Sequence, residues 1–171
     1  MFDERVPAGA IVLAVVNAEF GIAGGGSREA ILLGAKECAV IYDLISNNTA
    51  DSIEDRICLL LANVKGSNDA TALSVFATLQ PPADASSNTE SFVESFSLYG
   101  LRRASIQVGN DDGGSGLSFI ADITKVVVKQ LPTNPVKSIQ VHIDIVPEPP
   151  LPDSVRIMIG YMGIFIQKHS R

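Results

Sequence analysis

The sequence predicts an all-β chain folded as an antiparallel β-sandwich, jelly-roll or immunoglobulin-like, with one short helix near residues 122–130. Three observations carry this. Six apolar segments of strand length begin near Arg56, Leu73, Phe92, Leu117, Ile139 and Val155, and turn signals rich in Gly, Pro, Asn and Asp separate them. Hydrophobic residues make up 46% of the chain, far from the polar, highly charged composition of disordered segments. Finally, 171 residues suit one domain, and a domain of that size buries roughly 70% of the surface its unfolded chain exposes.

Residues 1–26 read as an N-terminal extension of undefined structure, 27–168 as the sandwich and 169–171 as a tail. Within the extension, AIVLAVV at 10–16 is a short apolar run compatible with a strand, a helical turn or a poorly packed remnant. GIAGGGS at 21–27 is a break. Residues 27–45 support two readings. As a helix they have Ser27 as N-cap, Glu29 in the first turn and apolar residues at Ile31, Ala35, Cys38, Tyr42 and Ile45. As β structure they split at Gly34 into AILL and CAVIYDLI.

RICLLLANV at 56–64 is continuously apolar, as in a strand covered on both faces. Leu73, Val75, Ala77 and Leu79 alternate with Ser74, Phe76 and Thr78 until Pro81 and Pro82 end the ladder. The stretch SFVESFSLYGLRRAS at 91–105 opens with period-two alternation, stops at Gly100 and is expected as an interior strand. GLSFIA at 116–121 is strand-like. Asp122 then offers an oxygen to a first-turn amide, so 122–130 reads as one or two helical turns, or as a further strand. Ile139, Val141, Ile143 and Ile145 against Gln140, His142 and Asp144 give the cleanest strand, and VRIMIGYMGIFIQ at 155–167 is the last.

The formal net charge is −6, which argues against nucleic acid, whose binding rests on clustered Lys and Arg. The start of the chain carries acidic residues where a signal peptide has basic ones, and no run is long enough to span a bilayer, so no membrane role is expected and a cytoplasmic location is slightly favoured. Cys38 and Cys58 lie in apolar runs and read as free buried thiols, although pairing would follow if their strands were neighbours. GNDDGGSG lacks the ligand count of a calcium loop, and GIAGGGSRE lacks the ending of a phosphate loop. The sequon at Asn47 matters only in a secreted chain. Of the two histidines, His169 sits in the tail. His142 shares a strand face with Asp144, a pair that makes a catalytic site only if a nucleophile joins it. No catalytic, cofactor-binding or metal-binding residue is therefore assigned.

ICLLLANVKGSNDATALSVFATLQPP, ESFVESFSLYGLRRAS, GLSFIADITKVVVKQL, SIQVHIDIVPEPP and VRIMIGYMGIFIQ, in that order over 54–167, resemble the C-terminal β-sandwich domain of microbial tyrosinases and related polyphenol oxidases. AILLGAKECAVIYDL resembles the linker leading into that domain, which implies that 27–45 is mainly extended. The resemblance further implies a type-3 copper protein in which a separate helical domain holds two copper ions with six histidines and oxidises phenols. Those histidine motifs match no position here. What it implies for this chain is a non-catalytic accessory domain that covers the copper pocket, sometimes with a bulky side chain as plug. Leu98 and Tyr99 are the candidate plugs, with Arg102 and Arg103 as neighbouring contacts; the other reading makes all four ordinary core and rim residues. The alternative function is a stand-alone binding or structural subunit that forms a homo-oligomer through an apolar patch on 155–167.

Overall fold

A computed structural model describes residues 7–16, 20–46, 54–67, 71–80, 90–106 and 116–168. Its strands are β1 (Ile11–Val16), β2 (Phe20–Ile22), β3 (Ser27–Leu33), β4 (Arg56–Lys65), β5 (Ala72–Gln80), β6 (Ser91–Ser97), β7 (Leu117–Asp122), β8 (Ile139–Glu148) and β9 (Ile157–Gln167). Its helices are α1 (Ala35–Ile45), α2 (Leu101–Ser105) and α3 (Thr124–Gln130). The six expected strands are present. Two antiparallel sheets face each other, in the orders β1-β9-β4-β7 and β3-β8-β5-β6, and β2 also pairs with β9.

This order selects the jelly roll from the two sandwich types expected. β1 pairs with β9 from Ile166 to Met162, and β2 continues along the same strand from Ile159 to Ile157, so the two act as one interrupted strand. Counting them once, the first strand pairs with the last and the chain crosses between sheets at every connection but β5 to β6, which is the double Greek key of a jelly roll. The sandwich therefore starts at Ile11, upstream of the expected boundary at 27. The run IVLAVV finds its partner only in the far end of the chain, which local pattern does not reveal.

Between the sheets lies one core, built from the odd positions of β8, from Leu73, Val75, Ala77 and Leu79 of β5, and from Ile57, Leu59 and Leu61 of β4. Each such side chain contributes roughly 1.5–3 kcal/mol by leaving water. Asn63, at φ 54°, breaks the alternation of β4. It lies against Gly160, where an added Cβ would come within 2.9 Å of the Asn63 Cβ. Past this point the inward residues change phase on both strands, to Val64 on β4 and to Ile159 and Ile157 on β9. A second cluster, Cys58, Leu60, Ala62, Tyr161 and Phe165, occupies the other face of the same two strands.

Four expectations are corrected. The extended reading of 27–45 holds for β3 and fails beyond Gly34, where α1 begins. Ala35, Lys36 and Glu37 are good helix formers, Glu37 Oε1 accepts the Gly34 N–H at 3.0 Å, and Cys38 and Ile41 face the core. One helix was expected; α3 is that helix, α1 takes up the helical reading of 27–45 from Ala35 on, and α2 was not foreseen. The 91–105 stretch is not interior: β6 is an edge of its sheet, with Phe92 exposed, because β8 and β5 hold the central places with longer apolar faces. The 155–167 segment offers no free apolar patch, since β9 is central and buried on both faces.

Asp122, Thr124 and Gln130 fasten α3 to the sheets. Asp122 Oδ1 accepts the Thr124 N–H at 2.9 Å, as the sequence predicts. The Ile57 N–H donates to Thr124 Oγ1 at 2.8 Å, and Arg56 Nε donates to Asp122 Oδ2 at 2.8 Å. Burial raises the affinity of the Asp122 carboxyl for a proton, but the hydrogen bonds from Arg56 and Thr124 outweigh it and hold the group below its ordinary value. No helix among the described residues is long and apolar enough to cross a membrane.

Candidate contact surface

The connections β2–β3, β4–β5, β6–α2 and β8–β9 gather at one end of the sandwich, and the expected contact residues lie there. Residues 98–101 form a turn closed by the Leu101 N–H donating to the Leu98 carbonyl at 2.9 Å. Its third position, Gly100, has φ 86° and ψ 0°, the geometry of a type II turn, which favours glycine. Leu98 and Leu101 are fully buried, while Tyr99 between them is 86% exposed. An aromatic ring is thus held out to solvent on a turn whose two ends are clamped in the core.

Further bonds fix the clamp. The Leu98 N–H donates to the Thr71 carbonyl at 3.3 Å, and the Tyr99 N–H to Ser97 Oγ at 3.2 Å. Thr71 Oγ1 in turn donates to the Pro149 carbonyl at 2.6 Å, tying the turn to the β8–β9 connection. On α2, Ser105 Oγ donates to the Leu101 carbonyl at 2.7 Å and accepts the Gly66 N–H at 2.9 Å. Arg102 and Arg103 are exposed on this one-turn helix, and Ile106 beyond it is 63% exposed.

Of the four residues singled out by sequence, three share this exposed tip and Leu98 does not; it is an anchor, and its reading as a plug is corrected by its burial. Sequence reasoning missed Thr71, Ser105 and Gly66, whose roles depend on contacts between distant segments. An exposed Ile106 directly after LRRAS was the one local signal available.

The other candidates resolve differently. His142 lies on the outer face of β8 opposite Thr78 and Ala30, and neither ring nitrogen has a hydrogen-bond partner. Both oxygens of Asp144 are taken by Arg28, from Nε at 2.8 Å and Nη2 at 3.0 Å, so Asp144 does not orient His142. Cys38 and Cys58 are free. Burial pushes the Cys58 thiol up to about 11, and burial followed by the nearby Glu37 raises Cys38. GIAGGGSRE is a tight strand-to-strand turn, closed by the Gly26 N–H on the Ala23 carbonyl at 3.0 Å, with no helix N-terminus to receive a phosphate. GNDDGGSG, except for its last glycine, the Asn47 sequon and His169 lie outside the described residues.

Open grooves also mark the surface of the described residues. One of about 480 Å³ runs between α1 and the segment before β8, lined by Ala35, Ala39, Tyr42 and Lys137 among others. Another, about 390 Å³, lies between Phe92 and Val93 of β6 and the Arg56–Asp122 pair. Among the described residues no three His, Cys, Asp or Glu side chains group as metal ligands would.

A family model described as a domain of unknown function, DUF7868, matches residues 12–167. The chain belongs to this family. The DUF7868 match runs from the second residue of β1 to the last of β9, so the family unit is the whole jelly roll, β1 and β2 included. No curated protein matches the chain. Among solved structures, that of Turnip Yellow Mosaic Virus at 100 K matches 90% of this DUF7868 chain and 92% of its own, at 11% identity and TM-score 0.27. That of the infectious bursal disease virus Gx strain matches 94% of this chain and 40% of its own, at 10% identity and TM-score 0.21.

Proposed function

We propose that this chain is a non-catalytic sandwich domain that acts by protein–protein contact, covering the copper pocket of a tyrosinase-like catalytic domain with Tyr99 over its opening. The observation that supports this most is the Tyr99 turn, in which an 86% exposed aromatic sits between two fully buried leucines. Exposed aromatics on rigid supports are the side chains that carry binding energy at interfaces, since little conformational entropy remains to be lost on docking. Burial of the ring against a partner would contribute roughly 1.5–3 kcal/mol. The chain itself supplies neither copper nor catalytic residues in this reading; the two copper ions belong to the partner.

Mixing the purified chain with a copper-loaded tyrosinase core that lacks its own sandwich tests this. Phenol oxidation should fall with added chain, and Tyr99→Ala, with unchanged circular dichroism, should lose most of the effect. Full activity at a large excess of the wild-type chain counts against the reading.

A second reading, a self-associating structural subunit, is favoured by the edge strand β1. Its Ile11, Val12 and Val15 are each about two-fifths exposed, and IVLAVV carries no charge to discourage pairing with another strand. Sedimentation would then show a salt-insensitive dimer that Val15→Lys converts to monomer.

A further inference from the structure

We propose that Ser105 is a phosphorylation site for a serine kinase that selects basic residues, and that its modification unlocks the turn presenting Tyr99. The inference holds whatever the partner of that turn. Arg102 and Arg103 stand three and two residues before Ser105, and Ile106 directly follows it. This is the pattern that a kinase groove with carboxylates upstream of the acceptor and an apolar pocket downstream recognises. In the structure both arginines are exposed and Ile106 is 63% exposed, so the recognition set faces solvent.

The hydroxyl itself is half-buried and hydrogen-bonded twice, to the Leu101 carbonyl and from the Gly66 N–H. A kinase therefore meets it through local opening of α2. That helix has five residues and holds its place through Leu101, Ser105 and the Gly116 N–H on the Ala104 carbonyl at 3.1 Å, a unit small enough to open well below global unfolding. In the transfer, Ser105 Oγ attacks the γ-phosphorus of a nucleoside triphosphate. The Oγ–P bond forms, the bond to the β-phosphate oxygen breaks and the nucleoside diphosphate leaves, while the hydroxyl proton passes to the carboxylate base of the kinase.

The phosphate has consequences in this position. Oγ has no proton left to donate to the Leu101 carbonyl, and a dianion at the last residue of α2 faces the negative end of the helix. Its bulk does not fit the 2.9 Å contact with the Gly66 N–H. The bond that ties α2 to Gly66 at the end of β4 and the Ser105–Leu101 bond inside α2 are lost together, and α2 carries the buried Leu101 that closes the Tyr99 turn.

The test uses the full chain, a purified kinase selective for arginine at the third and second positions before serine, magnesium and ATP. Intact mass should show one added phosphate, absent in Ser105→Ala and slowed about tenfold or more in Arg103→Ala, whose exposed side chain can be removed without loss of fold. Hydrogen exchange of the Gly66, Leu101 and Ala104 amides should accelerate at least about tenfold in the phosphorylated chain, with the amides of β8 unchanged. Failure of the folded chain to accept phosphate, or incorporation that persists in Ser105→Ala, overturns the site. Phosphorylation with unaltered exchange at those three amides overturns the unlocking.

Discussion

Gln130 offers the sharpest test of how the sandwich is closed beside α3. It is 8% exposed, and its side chain hydrogen-bonds to two strands. Oε1 accepts the Leu79 N–H at 2.8 Å, and Nε2 donates to the Ala77 carbonyl at 3.3 Å and to Ser91 Oγ at 2.8 Å. The pairing of β5 with β6 ends at Ala77 and Ser91, so the amide carries on the ladder where β6 has run out. Gln130→Leu keeps most of the volume and removes these bonds. A buried N–H deprived of its acceptor costs about 1–3 kcal/mol, and the two lost donations, one long and one to a hydroxyl near the edge, cost less. The sum is about 2–4 kcal/mol, offset by roughly 1 kcal/mol from burying an apolar side chain. The expected net loss is therefore about 1–3 kcal/mol. Urea unfolding followed by circular dichroism measures it as a lower midpoint at unchanged slope. Ser91→Ala, which removes the bond from Nε2 to the Ser91 hydroxyl, should cost about 1 kcal/mol or less. A Gln130→Leu midpoint within error of wild type would refute the view that this amide completes the sheet.

Asp122 gives a pH dependence of known sign. Its folded-state affinity for protons is lowered, so the stability it adds is present above the unfolded value near 4 and is lost as pH falls through the folded value. With the side chain 46% exposed and screened, the effect is about 0.5–1 kcal/mol, and the urea midpoint of Asp122→Asn should fall less than that of wild type between pH 7 and pH 3. Leu98→Ala should cost about 2–5 kcal/mol in the same assay, whereas Tyr99→Ala should change stability by under about 0.5 kcal/mol. Both thiols should resist an aromatic disulfide reagent at pH 8 until the chain unfolds, with two equivalents then released; fast reaction of the folded chain would contradict the burial of Cys38 and Cys58.

What was legible in the sequence divides by range. β8 shows its register in every residue, because one face meets the core and the other does not. Asp122 and α3 were legible for the same reason, a cap and its helix being neighbours in the chain. β9 was recognisable as a strand but not as the centre of its sheet, since the phase change at Gly160 is understood only with Asn63 beside it. The helix α1 was legible in the helical spacing of Ala35, Cys38, Tyr42 and Ile45, and the resemblance to an extended linker set that reading aside; what decides for helix is the break at Gly34 with the reach-back of Glu37. For the contact surface, the sequence isolated Leu98, Tyr99, Arg102 and Arg103, but whether each was anchor or tip depended on distant segments: Thr71 bonds Leu98, Pro149 holds Thr71, and Gly66 holds Ser105.

The edge position of β6 matters to the tip in a way an interior position would not. An interior strand would place its terminal turn between neighbours, and an aromatic there would be drawn into the core with a gain of roughly 1.5–3 kcal/mol. At the edge, Phe96 packs against Phe119 across the open side of the sandwich with ring centres 4.8 Å apart, and this closes the core two residues before the turn begins. Leu98 and Leu101 then fill the remaining space, so Tyr99 has no inward place to occupy. Gly100, with no heavy atom within 4 Å of an added Cβ, bends the chain there for reasons of φ alone. Folding thus determines that a side chain at 99 points outward and leaves its chemistry unconstrained. A serine or lysine would serve the fold equally, so the ring is open to the contact proposed for it.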